Sequence, residues 1–232
     1  RFMTSKYFKN GSADHIIPVS LGGVHDSRFL QPMPSGDNSS KRDRLVKDDI
    51  LKAIEIENKT KINAVSWFVS DLWKYLKSEV SNFSKSDFEN FRVCLKQNMT
   101  DFLNILCIIK NLEKTGIDFI TEKLIQPKMK YFEVDYDFNV DGTYSEKERH
   151  ITERASEEFE RMKRISLDSL DDYNNKDNRN LNADFTDEEQ QKISEICKTV
   201  KLGKFDSAFS LLKILMKEIQ KRELEYFKNQ RA

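Results

Sequence analysis

Asp14-His15-Ile16-Ile17-Pro18-Val19-Ser20-Leu21-Gly22-Gly23 is followed, after a short variable segment, by Leu30-Gln31-Pro32-Met33 and then by Asp37-Asn38-Ser39-Ser40-Lys41-Arg42-Asp43. Side chains alternate along a strand, so a strand ending in Asp14-His15 puts a carboxylate and an imidazole on opposite faces of the backbone. A loop at Gly22-Gly23 and a second short strand return the chain antiparallel. Ser35 or Asp37 then caps a helix whose first turn carries Asn38. Asp14 and Asn38 offer hard oxygen donors, suited to Mg²⁺ rather than to a soft metal. His15, beside such an ion, is free to take a proton from water.

Outside this stretch the chain changes character. Seven of its eleven glycines and prolines lie in the first 36 residues, which places turns and short strands there and long helices afterwards. Leu45, Leu51 and Ile54 begin the helical part, followed by Val65, Phe68, Leu72, Leu76 and Val80 at helical spacing. Ser86 with Glu89 reads as a capping box opening a helix with Phe88, Phe91, Leu95, Phe102, Leu106 and Ile109 inward, closed by Gly116. Thr186 with Glu189 reads as a second capping box, ahead of Ile193, Ile196, Cys197 and Val200. Gly203 makes a turn, and Phe205 to Phe227 form a last amphipathic helix that packs on its predecessor. Residues 168–186, rich in Asp and Asn, read as a loop.

The fold expected is mainly α. A small ββα unit occupies residues 1–48, a helical domain 49–130, an acidic segment 131–190 with a short strand or hairpin near 131–141, and a helical hairpin 191–232. Residues 131–190 carry 8 basic against 18 acidic side chains, within a chain of 39 and 39. Zero formal charge removes the bulk electrostatic argument for nucleic-acid binding, so such binding has to come from a site. The longest apolar run, Ile105 to Ile109, is far short of a membrane span, and no apolar leader precedes the first strand. Three scattered cysteines, Cys94, Cys107 and Cys197, exclude a disulfide framework and point to a reducing, cytoplasmic setting.

The stretch from Asp14 to Lys41 resembles the HNH nuclease family. That family's strand–strand–helix unit bears an Asp-His pair, a following Pro, a Gly-Gly turn and a terminal Asn-x-x-Lys, matched here by Asp14-His15-Ile16-Ile17-Pro18, Gly22-Gly23 and Asn38-Ser39-Ser40-Lys41. The resemblance covers about the first 45 residues. It implies that His15 is the general base that activates water. Asp14 and Asn38 are then ligands of one divalent cation, Mg²⁺ or Mn²⁺, that holds the scissile phosphate and neutralises the leaving 3′-oxygen. Arg28, Lys41, Arg42 and Arg44 become candidate phosphate contacts, in a basic cluster that adjoins the expected metal. Two positions depart from the pattern. Pro34 and Asp37 replace a cysteine pair that binds structural zinc in many members, so no such zinc is expected and the unit must be held by packing on later helices. Phe29 replaces the middle Asn, which ties down the loop around the catalytic His.

The resemblance implies an endonuclease acting on nucleic acid, DNA by preference, in restriction or anti-phage defence, with a protein partner or second copy on the helical body and no membrane. The plainer alternative is a helical partner-binding protein with an idle HNH scaffold. A second motif competes: Asp137, Asn139, Asp141, Thr143 and Glu148 fit an EF-hand calcium loop over residues 137–148, which would make a calcium-binding interaction module. Against it, Phe132, Val134, Tyr136 and Phe138 alternate with acidic residues at strand period. Trp67, Phe68, Trp73 and Tyr75 read as core more than as base-stacking platforms. His25 reads as a solvated loop residue and His150 as part of a charged helical surface.

Overall fold

The computed structural model describes residues 11–125, 133–138, 144–150, 155–175, 183 and 185–231. They are mainly helical and fall into two units. One comprises Met3–Phe102, Leu181–Phe185 and Lys213–Ala232; the other comprises Arg1–Phe2, Leu103–Asn180 and Thr186–Leu212. Among the described residues no helix is long and apolar enough to cross a membrane.

In the unit that holds the N-terminal stretch, β1 (Gly11–His15) and β2 (Leu30–Pro34) pair antiparallel, with Asp14 opposite Gln31 and His15 opposite Leu30. Short 3₁₀ turns at Val19–Leu21 and Ser27–Phe29 lie on the connection between them. Gly22 ends the first turn at φ +93°, a conformation L side chains rarely adopt, and a Cβ there would also collide with Val69. β2 leads directly into α1 (Ser35–Lys41). Pro34 sits at the N-cap and no side chain caps the helix, so neither Ser35 nor Asp37 does what the sequence suggests.

The connection is fastened to the helices that follow by backbone bonds: Val24 N–H donates to Ala64 O (3.0 Å), Ser66 N–H to Gly22 O (2.8 Å), and Gly23 bridges Val65. α2 (Lys47–Thr60) turns Ile50, Ala53 and Glu57 inward; Leu51, expected at its start, is exposed. After a 3₁₀ turn at Trp67–Val69, α3 (Ser70–Glu79) buries Leu72, Trp73 and Leu76. Phe68 stacks on Phe102 at 4.0 Å between ring centroids, and Tyr75, Phe83, Phe91 and Phe227 form a second aromatic cluster. Of the aromatic residues read as core, Phe68 and Trp73 are buried, while Trp67 and Tyr75 are half-buried at the edges of these clusters.

α4 (Lys85–Lys110) and α8 (Phe205–Arg231) each contribute to both units. The start of α4 differs from the expected Ser86–Glu89 box. Ser84 and Asp87 make the reciprocal bonds instead, Ser84 N–H donating to Asp87 Oδ2 (2.7 Å) and Asp87 N–H to Ser84 Oγ (3.2 Å). Both pairs have the same i, i+3 spacing. The chain starts its helix at the first pair, leaving Ser86 inside the first turn.

In the other unit Gly116 does not close a helix. It lies within α5 (Glu113–Ile120), so close to the end of α4 that a Cβ would stand 1.9 Å from Ile109 O. A π-helical turn, Thr121–Ile125, follows. β3 (Glu133–Phe138) and β4 (Tyr144–His150) pair antiparallel, with a register shift between Asp135 and Tyr136. This hairpin carries the flanks of the proposed calcium loop. Tyr144–His150 is strand, and His150 ends that strand rather than lying in a helix. Asn139, Asp141 and Thr143 lie outside the described residues.

α6 (Ala155–Asn175) corrects the predicted loop: its last turns bury Leu170 and Tyr173, which meet Cys107 and Asn104, while residues 176–182 lie outside the described residues. The Asp- and Asn-rich composition hid a helix in which, among the described side chains, Leu170 and Tyr173 are the buried ones. α7 (Asp187–Lys201) opens on the expected box, with both Thr186–Glu189 bonds made, and buries Ile193, Ile196 and Val200.

Candidate active site

Strand pairing and the short helix α1 bring the two ends of the N-terminal stretch together. Ala13, Asp14, His15, Pro18, Val19, Ser20, Asn38 and Arg42 line a polar cleft of about 240 Å³. Asp14 and Asn38 are 24 positions apart and share this cleft because α1 lies against both strands of the hairpin. Asn38 Nδ2 donates to Ser12 Oγ (2.7 Å), which fixes the amide plane and leaves its carbonyl oxygen to offer to a cation. Arg42 adopts φ +48°, uncommon for a side chain other than glycine, and its N–H closes the helix on Asn38 O at 3.1 Å.

Beneath the cleft lies a buried ion network. Asp14 is only 5% exposed and Lys41 7%. Lys41 Nζ donates to Asp14 Oδ2 (2.5 Å), His15 O (2.9 Å) and Ile16 O (3.2 Å), and pairs with Asp49 at 2.6 Å. Gln31 Nε2 donates to both carboxylates at 3.0 Å, and Lys52 donates to Gln31 Oε1 at 2.9 Å. One ammonium thus holds the Asp14-His15-Ile16 backbone, a β1 carboxylate and the first turn of α2. Burying a lysine is costly unless its donors are met, and here they are.

His15 is half-buried. Its Nε2 lies 2.8 Å from His25 Nδ1. Burial, then the neighbouring His25 ring, push its pKa below the ordinary imidazole value; Asp14 opposes this and Lys41 adds to it. The ring is therefore neutral at neutral pH, the form that can accept a proton. Phe29, at the place of the family's middle Asn, is buried, and its carbonyl accepts from Ile16 N–H at 2.9 Å. The loop around His15 is tied by backbone, not by an amide side chain.

Asp14, His15, Asn38 and Arg42 therefore meet, and the other expected residues do not join them. Arg28 is clamped on Asp26 by two bonds (2.7 and 2.6 Å) and is not among the cleft's lining residues. Lys41 is internal, so the expected phosphate contact is replaced by a structural cation. Arg44 is exposed beyond the helix, its N–H on Lys41 O. Gln31, Asp49 and Lys52 escaped the sequence reading, and for His25, exposed in its loop as expected, the contact with His15 did. Gln31 was recoverable from the hairpin register, which sets it opposite Asp14. His25 had only its nearness to a Gly-Gly turn.

Among the described residues, no three His, Cys, Asp or Glu side chains gather as a metal cluster. The cleft offers one carboxylate, Asp14, and one amide, Asn38, with the His15 imidazole and the Ser20 hydroxyl beside them. The two hard oxygen donors fit a divalent cation that completes its coordination with water and phosphate, as Mg²⁺ does.

Comparison with curated proteins and with solved structures gave no match. A family model described as "Type II restriction endonuclease (RE_Alw26IDE)" matches residues 6–226, nearly the whole chain. Such enzymes are nuclease hydrolases with DNA as substrate, and they typically use divalent ions such as Mg²⁺. The match takes in the cleft and the helices of both units alike, and the chain belongs to this restriction endonuclease family.

Proposed function

We propose that the cleft is an HNH-type site that hydrolyses one DNA phosphodiester with a histidine base and a single divalent cation. The observation that carries this is the convergence of Asp14, His15 and Asn38, from both ends of the hairpin-plus-helix, on one polar cleft with Arg42 at its edge. Asp14 and Asn38 would hold the cation. Once bound, Mg²⁺ or Mn²⁺ supplies positive charge against the phosphate and the departing 3′-oxygen. His15 takes a proton from water as the resulting hydroxide oxygen bonds to phosphorus. The bond from phosphorus to the 3′-oxygen breaks, solvent protonates that oxygen, and the ends are 5′-phosphate and 3′-hydroxyl. Arg42, which lines the cleft, would contact a backbone phosphate. A restriction or anti-phage role in the cytoplasm is the physiology that goes with a restriction nuclease family.

Plasmid cleavage in Mg²⁺ tests this. His15→Ala is expected to slow cleavage by about 10²- to 10⁴-fold while leaving the fold intact, because the half-buried His15 ring lines the cleft and is not part of the core. The idle-scaffold alternative draws support from the Lys41 ammonium seated on Asp14 Oδ2. A parent protein that cuts no DNA in Mg²⁺ or Mn²⁺, over plasmids of varied sequence, would favour that alternative.

A further inference from the structure

We propose that His25 is a positioning residue for His15: it accepts the His15 Nε2–H and so keeps the His15 Nδ1 lone pair open to the attacking water. This rests on the HNH reading and goes beyond it, since nothing in that family's pattern asks for a histidine here.

Two ring nitrogens 2.8 Å apart share one hydrogen, so one ring donates and the other accepts. If His25 donated through Nδ1, a neutral His15 would accept at Nε2 and carry its hydrogen on Nδ1. Both nitrogens would then be occupied and the ring would have no base to offer. If His15 donates through Nε2, its Nδ1 is the basic atom. His25 then carries its own hydrogen on Nε2, which suits a ring on the exposed side of the pair. The ring centroids are 5.0 Å apart and tilted by 42°, so the contact is made at ring edges through nitrogen and not by stacking. When water's O–H breaks and the Nδ1–H forms, the imidazolium keeps its Nε2–H on His25 Nδ1, and that lone pair faces the new charge. A histidine base whose other nitrogen is fixed by a partner is the general device for choosing a tautomer.

The backbone that carries His25 is suited to the task. Val24 N–H is fixed on Ala64 O at 3.0 Å, and Asp26 caps the Ser27–Phe29 turn through the Arg28 N–H at 3.0 Å. His25 therefore stands between two anchored neighbours. Phe29, four residues downstream, ties the loop through its backbone carbonyl, so the side-chain contact to the base comes from His25.

The test compares the parent, His25→Ala, His25→Gln and His15→Ala in plasmid cleavage with Mg²⁺, alongside ¹⁵N NMR of the imidazole nitrogens. His25→Ala is expected to lower kcat about 10- to 100-fold, with KM for DNA changed less than about twofold. His25→Gln, whose amide oxygen can accept the same hydrogen, restores most of that loss. The parent spectrum shows a protonated Nε2 and a bare Nδ1 on His15, and His25→Ala shows both tautomers. A kcat for His25→Ala equal to the parent's, or equal impairment by Ala and Gln, overturns the proposal while a dead His15→Ala leaves the nuclease reading standing. A His15→Ala protein as active as the parent, or a parent that does not cleave, removes that reading and this inference with it.

Discussion

The two units differ most in what they bury. Among the described residues, Asp14, Gln31, Lys41, Glu57, Asn98, Asp101 and Glu223 are buried in the unit with the cleft, whereas the other unit buries Glu189, the carboxylate of a capping box. Glu57 alone accepts from Ala64 N–H (2.7 Å), Trp73 Nε1–H (2.9 Å) and Lys77 (2.7 Å). Buried polar groups cost free energy unless every partner is in place, so they are a poor way to gain stability and a good way to fix geometry. Among its described residues the second unit buries apolar faces and that one capping carboxylate. The first is built like an instrument mount, and the mount is under β1 and α1.

Removing the centre of that mount is the largest expected effect. Lys41→Met leaves the Asp14 and Asp49 carboxylates together without their shared cation and is expected to cost about 3–5 kcal/mol. Urea unfolding measures it, and plasmid cleavage should be lost as well. A Lys41→Met protein as stable as the parent would break the contrast between the units. Adding Asp49→Asn to Lys41→Met sharpens it, because one fewer buried charge should return part of the stability.

The contrast also explains what was legible in the sequence. The ββα unit was readable because Asp14-His15, Pro18, Gly22-Gly23 and Asn38 each announce a backbone event or a donor atom at a fixed place. α7 was readable because Thr186 and Glu189 cap it locally and Ile193, Ile196 and Val200 share a face. Lys41 was misread as a surface residue because its reason for burial lies elsewhere, at Asp14, Ile16 and Asp49. His25 is the exposed loop residue the sequence suggests, but its contact with His15 was hidden for the same cause, a partner ten residues away. Local chemistry is written in the sequence at helical or strand spacing, while a buried polar network exists only once distant segments meet.

In the second unit the next effect is steric. Gly→Ala inside a helix ordinarily stabilises by about 0.5–1 kcal/mol. At Gly116 the added Cβ would meet Ile109 O at 1.9 Å, so Gly116→Ala should reverse the sign and destabilise by about 1–3 kcal/mol. Thermal unfolding reads this directly, and a raised melting temperature would show that α5 can move away from the end of α4. Thr186→Ala is the milder change there. It removes the Thr186 Oγ1 acceptor from Glu189 N–H and should cost about 1 kcal/mol, seen as faster amide exchange over the first turn of α7. Both variants act on a unit that shows no buried ion network among the described residues, and neither should alter the salt dependence of DNA binding.

That salt dependence supplies the smallest and most discriminating comparison, between two arginines of the same unit that the sequence could not tell apart. Arg42 lines the cleft at a strained backbone position, while Arg28 is clamped on Asp26. A side chain that neutralises one phosphate releases its counterions on binding, so Arg42→Ala should reduce the slope of log K against log salt by about 1 and weaken binding alike across DNA sequences. Arg28→Ala should leave the slope where it was, because that guanidinium already spends its charge on a carboxylate. Equal slopes for both variants would mean that the phosphate path does not run past the cleft. The convergence of Asp14, His15 and Asn38 would then need another route for DNA to reach it.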